Sequence, residues 1–255
     1  MRRWKQPPER ADTLNTPNIY HYPGEEDQAT YDLENAIADP EQRIERFIEQ
    51  VAPLAGASLA DIGAGGGSHA CRFAERAAHV FAVEPAPKML RQLYARIAGG
   101  AAINISVLAA GAEDVPLRDA CVDIIHSRFA YFFGPARGAV RSCEPGVREG
   151  LRLLRPGGHF FIVDNALTSG QFAGFLARFA YSQGGAARMQ QENDGFYGGL
   201  GFEGVTVESS WAAPDRESLR RVVAMEFPAG TVEAIVSEVE EAWLSYHYRI
   251  YYRRK

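Results

Sequence analysis

The sequence predicts an α/β protein built on a mostly parallel sheet with helices on both faces. Three observations carry that reading. From residue 58 onward, short apolar runs alternate with helical patterns. The runs are apolar almost throughout, as strands covered on both sides must be. The first run leads straight into a glycine-rich turn, 63–67, and then into a helix.

The elements follow in order. Residues 1–24 are rich in Pro, Asn and Tyr and lack periodicity, which predicts an irregular arm. Residues 25–37 show a helical pattern. Asp39-Pro40 has the chemistry of a helix start, with Asp39 as N-cap and Pro40 at the first helical position. Ile44, Phe47, Ile48 and Val51 then form one apolar face. Strands are predicted at 59–62, 79–83, 103–108, 122–126 and 159–163, with helices at 68–76, 87–97 and 140–154. Arg155-Pro156-Gly157-Gly158 ends the last of these, because Pro stops a helix and Gly permits the turn. Helices at 168–181 and 186–200, a strand at 205–207, helices at 215–227 and 231–240, and an aromatic-rich strand at 246–252 complete the pattern.

Composition narrows the function. The 255 residues carry 27 basic and 32 acidic side chains, a formal charge of −5. That lacks the basic footprint of a nucleic-acid binder, so no nucleic-acid partner is expected. Cys71, Cys121 and Cys143 form an odd set with no CxxC and no His at zinc-finger spacing. Neither a disulfide framework nor a metal site is expected, and a reducing compartment fits. The basic start, Met1 to Pro8, is not followed by an apolar region. The longest stretch free of Asp, Glu, Lys and Arg, 97–112, has 16 residues and includes Gly99, Gly100, Asn104 and Gly111. A spanning helix needs about 20 mostly apolar residues. The expectation is a soluble, cytoplasmic protein with no membrane partner.

The turn Gly63-Ala64-Gly65-Gly66-Gly67-Ser68 is the most informative stretch. Glycines admit positive φ and let a ligand approach without a Cβ in the way. The helix start behind them offers free N–H groups to a polar or anionic ligand. Gly65 to Ala70 also matches the dinucleotide pattern G-x-G-x-x-A, which leaves an NAD-dependent oxidoreductase open. Strand two ends in Val83-Glu84-Pro85, with Glu84 19 residues after Gly65. A carboxylate there suits a ribose 2′,3′-diol, since it accepts two hydroxyl hydrogens at once.

Three further features carry a resemblance. Asp61 lies two residues before Gly63, giving D-x-G-x-G-x-G; Ala112-Glu113-Asp114-Val115-Pro116-Leu117 follows strand three; and Leu151 to Phe160 reads L-R-L-L-R-P-G-G-H-F. Over residues 45–165 the sequence resembles the class I S-adenosylmethionine (SAM)-dependent methyltransferases of the small-molecule, ubiquinone-biosynthesis-like type. The resemblance implies a Rossmann-like seven-stranded fold, sheet order 3-2-1-4-5-7-6 with strand seven antiparallel. It implies residues 1–50 as arm and helical lid, and 51–255 as the SAM-binding domain with acceptor-side insertions at about 166–200. It implies SAM as cofactor, leaving as S-adenosylhomocysteine (SAH). Asp61 would lie at the methionyl amino end, with Gly63, Gly65 and Gly67 passing close to methionine and ribose. Glu84 would hold the ribose, and Pro85, Ala112 and Glu113 would frame the adenine. Gly111 departs from the Asp often found before Ala-Glu.

The acceptor side is less determined. Strand four ends in His126-Ser127-Arg128-Phe129-Ala130-Tyr131, beside the expected sulfonium methyl. The Asp/Asn-Pro-Pro-Tyr signature of amino-purine methylation is absent there, which disfavours DNA adenine. Ser127 is a candidate SAM contact. Arg128, Tyr131 and Asn165, with Tyr20 and Tyr22 of the arm, are candidates for the acceptor. His126 and Asp164 are candidate bases, against an equally open structural role for each. The leading reading is methyl transfer to a small molecule by a monomer or homodimer. The alternatives are the oxidoreductase, which lacks a Tyr-x-x-x-Lys pair after strand four, and a SAM-fold binding protein that transfers nothing.

Overall fold

The computed structural model describes residues 28–255 apart from 102 and 139. Tyr20 and Tyr22 lie outside the described residues. The sheet is built from β1 (Ser58–Ile62), β2 (His79–Val83), β3 (Ile105–Leu108), β4 (Val122–Arg128), β5 (Leu154–Asn165), β6 (Glu203–Val207) and β9 (Tyr248–Arg254). Its order is β3-β2-β1-β4-β5-β9-β6. β1 to β5 run parallel, and β9 is antiparallel to both β5 and β6. With β9 as the seventh sheet strand, this is the expected 3-2-1-4-5-7-6.

Side-chain alternation sorts the strands onto two cores. Leu59, Ile124, Phe161 and Val163 face one side. There they meet apolar residues of α2 (Arg43–Val51), α3 (Ser68–Ala74), α4 (Pro87–Arg96) and α6 (Gly170–Phe175). Ala60, Ile62, Ile125, Phe160 and Ile162 face the other, against α5 (Glu144–Leu153) and α7 (Gly185–Gly199).

Several boundaries shift from expectation, among them the helix expected at 140–154, which begins at Glu144, and two of the shifts have a visible cause. α2 begins at Arg43, not at Pro40, because 39–42 closes a turn with Gln42 N–H donating to the Asp39 carbonyl. Asp39 still caps the helix, its two carboxylate oxygens accepting from Arg43 N at 3.0 Å and Ile44 N at 2.9 Å. The Arg155–Gly158 turn lies within β5, as a register shift against β4, instead of between helix and strand. Arg155 pins it there through both oxygens of Asp123, at 2.6 Å each.

One insertion falls outside the expected span. Between β6 and β9 lie β7 (Ser210–Ala212), α8 (Arg216–Glu226), α9 (Val232–Ser237) and β8 (Trp243–Ser245), with β7 and β8 paired as a ribbon. This unit carries α1 (Gln28–Ile37). Ala38 bridges to Trp211, Asp39 N donates to Ser210 O at 3.0 Å, and Arg221 donates to Thr30. Among the described residues, no helix is long and apolar enough to cross a membrane.

Candidate active site

Parallel strands end at one edge, and the site is assembled there. β1 ends at Ile62, and the turn to α3 places Gly63, Gly65 and Gly67 at φ 77°, 55° and 81°. Gly63 N and Ala64 N both donate to Val83 O, at 2.8 and 3.0 Å, tying the turn to the end of β2. A Cβ on Gly67 would sit 2.2 Å from Leu93 Cδ1, so that glycine serves the packing of α4. A Cβ on Gly65 would meet only the Tyr31 hydroxyl at 3.2 Å and Met89 Cε at 3.5 Å. The face of Gly65 is thus open to anything that slips beneath Tyr31 of α1.

Glu84 is buried and grips the turn. Its Oε2 accepts from Gly65 N at 2.9 Å and its Oε1 from Ala86 N at 2.8 Å. Burial pushes its carboxyl upward, and the two amide bonds oppose that push. Each oxygen keeps a further acceptor site, which is what a diol requires. Pro85 follows directly. Ala112 is buried in the second core. Glu113 accepts from the Tyr131 hydroxyl at 2.5 Å and pairs with Arg141 at 3.3 Å. The 112–117 loop is held by residues the sequence did not flag. Val115 N donates to Glu149 at 2.8 Å, and Arg152 donates to the carbonyls of Leu117 and Val115.

On the α3 side of the sheet, Asp61 and His126 are register partners and both are buried. Asp61 Oδ1 lies 2.8 Å from His126 Nδ1. Asp61 Oδ2 is buried with no hydrogen-bond partner. The His126 ring packs edge-on against Phe73, with centroids 4.8 Å apart, and lies 5.9 Å from His69. Ser127 faces the other way and donates to Ile62 O at 2.8 Å, locking β4 to β1 just before Gly63.

A second buried ionic group was not anticipated. Glu45 of α2 pairs with His69 at 3.4 Å and Arg72 at 3.5 Å, both on α3. Burial works to raise its carboxyl, yet the bond to His69 and the charge of Arg128 hold it below the usual range. His69 is pushed down to about 4, by burial first and then by Arg128. One signal was visible: Glu45 borders the Ile44–Ile48 stripe of an otherwise amphipathic helix.

Arg128, Asn165, Tyr246 and Tyr248 gather where β4, β5 and β9 meet. Arg128 donates to the Tyr248 hydroxyl at 3.0 Å, and Tyr246 donates to Asn165. Trp211 stacks on Tyr246 at 4.9 Å and 14°. Phe129 turns the chain here with φ 49°, in the left-handed region. The other candidates are not brought to this group. Tyr131 packs on Gly146 of α5, on the opposite side of the sheet. Asp164, one residue before Asn165, points the same way as Ile162 by alternation, away from His126 and Arg128.

Comparison with known proteins agrees with this architecture. Residues 60–162 match the methyltransferase domain family. An uncharacterized methyltransferase of Mycobacterium tuberculosis is 34% identical over 119 residues, 46% of this chain and 44% of its own length. The ubiquinone/menaquinone biosynthesis C-methyltransferase of Rubrivivax gelatinosus is 31% identical over 137 residues, 54% of this chain and 51% of its own. The chain spans about half the length of these curated relatives. Among solved structures, a SAM-dependent methyltransferase from Thiobacillus denitrificans in complex with SAH matches with TM-score 0.56 and 17% identity, over 92% of this chain and 100% of that one. The class is thereby defined: residues 60–162 match a methyltransferase domain, set in a sheet with the strand order of the class I methyltransferase fold. SAM is the cofactor of that class.

The residues present fit SAM. Asp61 Oδ2 is an orphaned buried acceptor at the end of β1, where an ammonium group would complete it. Gly65 leaves a cradle that any Cβ would narrow. Glu84 adds acceptor capacity at the right strand end.

Proposed function

We propose that this chain transfers a methyl group from SAM to a small-molecule acceptor. The observation that carries the reading is the bond of Glu84 to Gly65 beside the unpartnered oxygen of Asp61. SAM bound here would supply a methyl on a positively charged sulfur, and its C–S electron pair would stay with that sulfur as SAH when the acceptor takes the methyl. The residues of the chain align and enclose. Glu84 holds the ribose hydroxyls, Asp61 Oδ2 takes the amino group, and Pro85 and Ala112 flank the adenine. His126 acts by fixing the Asp61 carboxylate. Tyr31 covers Gly65 and excludes water. Alignment and desolvation supply most of such a rate, and a base is needed only when the acceptor must lose a proton to react. The net charge of −5 and the missing amino-purine signature favour a small molecule over nucleic acid. Three buried, free cysteines fit a cytoplasmic setting, as a monomer or homodimer.

Calorimetric titration with SAM and SAH tests the first half, and absence of binding at millimolar ligand would overturn it. Incubation with methyl-labelled SAM and a deproteinised metabolite extract tests the second. Label is expected in a small product.

A further inference from the structure

Arg128 ends β4 with one half of its guanidinium used and the other half idle. Its Nη2 donates to the Tyr248 hydroxyl at 3.0 Å. The group is flanked by the Tyr248 ring at 4.8 Å and the Phe129 ring at 5.3 Å. Its Nη1 is buried and has no hydrogen-bond partner. The charges of Glu45 and Asp39 act on Arg128, while Glu45 pairs at contact distance with His69 and Arg72, and Asp61 with His126. An arginine keeps its charge, and an unmade bond from a buried charged donor is costly.

The chemistry of the visitor follows from the surroundings. A guanidinium edge is a planar fork that suits a carboxylate better than any neutral group. Behind it stand Phe129, Tyr246, Tyr248 and Trp211, packed ring to ring. Of these rings Phe129 is part-exposed and the other three are buried, so Phe129 offers the flat apolar face. Arg128 also leans across β5 to a residue of β9. The glycine turn lies on the other side of β4, after β1.

We propose that Arg128 is a carboxylate receptor, and that the acceptor is a planar organic acid whose acid group bonds Nη1. This rests on the transferase reading above and adds a substrate class to it.

The test uses calorimetry on wild type, Arg128→Gln and Arg128→Lys, with thermal unfolding as the folding control. The ligands are SAH and 5′-methylthioadenosine, which lacks the amino-acid part. Benzoate, 2-naphthoate and their methyl esters are then titrated into SAH-saturated protein. At least one acid is expected to bind wild type tenfold or more tightly than its ester. Arg128→Gln should lose that preference while keeping SAH affinity within twofold, and Arg128→Lys should recover part of it. If Arg128→Gln instead weakens SAH but not methylthioadenosine, the carboxylate it binds is the cofactor's own and the acceptor assignment is overturned. Acids binding no better than esters, or an Arg128→Gln variant that loses neither ligand, would overturn the proposal. If SAH does not bind folded wild type, the transferase reading falls, and the acids are judged on the free protein by the same criteria.

Discussion

The carboxylate of Glu84 accepts the backbone N–H of Gly65 at 2.9 Å. The end of β2 and the turn after β1 therefore behave as one unit. The same side chain that is available to a ribose also shapes the glycine cradle. The 19-residue spacing read from the sequence is the separation of two bonded groups. Any change at Glu84 acts on the seat of the turn, and on a ribose bound there as proposed.

Glu84→Ala should weaken SAH binding at least tenfold, in line with about 1.5–3 kcal/mol for hydrogen bonds to a charged group. Glu84→Gln should lose less, because its carbonyl oxygen can accept from only one of the two amides now served. Calorimetry on both variants checks this, with circular dichroism to confirm the fold. Equal affinity in a folded Glu84→Ala would place the ribose elsewhere.

Two glycines of one turn should fail in different ways. Gly67→Ala places a Cβ 2.2 Å from Cδ1 of the buried Leu93 at φ 81°, so that side chain must move. A stability loss of about 2 kcal/mol or more is expected, combining overpacking with left-handed strain. Gly65→Ala meets only the flexible ends of Tyr31 and Met89. It should cost about 1–2 kcal/mol of left-handed strain while its SAH affinity falls by much more than that of Gly67→Ala. Urea unfolding and calorimetry on the pair separate the two effects.

The sign of an acid sensitivity follows from His69. Its imidazole is pushed from 6.5 down to about 4 in the folded chain, so the unfolded chain binds the proton more readily between those values. Stability is then full above about pH 6.5 and falls as pH drops toward 4, by up to about 1.4 kcal/mol per pH unit. Glu45, held low, loses its contribution only below its ordinary 4.5. In the window between pH 6.5 and 4.5 Glu84, raised by burial, works in the opposite direction, so the His69 variant and not the raw slope reports the histidine. His159 is also lowered, by burial and then by Arg254, and acts in the same direction. His69→Gln should therefore flatten the decline in urea midpoint between pH 7 and 5 without abolishing it. An unchanged slope would mean His69 titrates normally.

What the sequence made legible was local. The glycine turn, Asp61 before it and Glu84 after β2 each sit within a few residues of a strand end, and strand ends converge in a parallel sheet. The tyrosine-rich final strand was legible by composition. What it hid depends on packing between distant elements. Glu45 meets His69 only because α2 crosses α3. Arg128 meets Tyr248, 120 residues later, only because β9 inserts beside β5. Tyr131 and Asp164 show a different shortfall. Alternation separates Asp164 from Asn165 on opposite sides of the sheet, yet proximity in sequence had grouped them at one crevice. The start of α2 was misplaced because Asp39 caps it from across a turn, a geometry that Asp-Pro spacing does not display.

The helix over the turn should move. α1 places the Tyr31 hydroxyl above Gly65, and Asp32 pairs with Arg96 at 3.2 Å while Arg96 donates to Gly66 O at 2.8 Å. Both charged side chains are more than a third exposed, so the pair contributes under about 1 kcal/mol. The far end of α1 is fastened more firmly, through the Ala38–Trp211 bridge and the bond of Asp39 to Ser210. Such a helix swings about 38–39 when its weak end lets go, and covering a bound ligand would close it. Amide exchange over residues 28–37 should therefore slow at least several-fold when SAH is added. Arg96→Ala should raise the SAH dissociation rate several-fold, leave the association rate nearly unchanged, and shift the thermal midpoint little. Tyr31→Ala should do the same, because it removes the cover and not the tether. If exchange over 28–37 is identical with and without SAH, α1 is a fixed wall of the site, and the dissociation rate of Arg96→Ala will match that of the wild type.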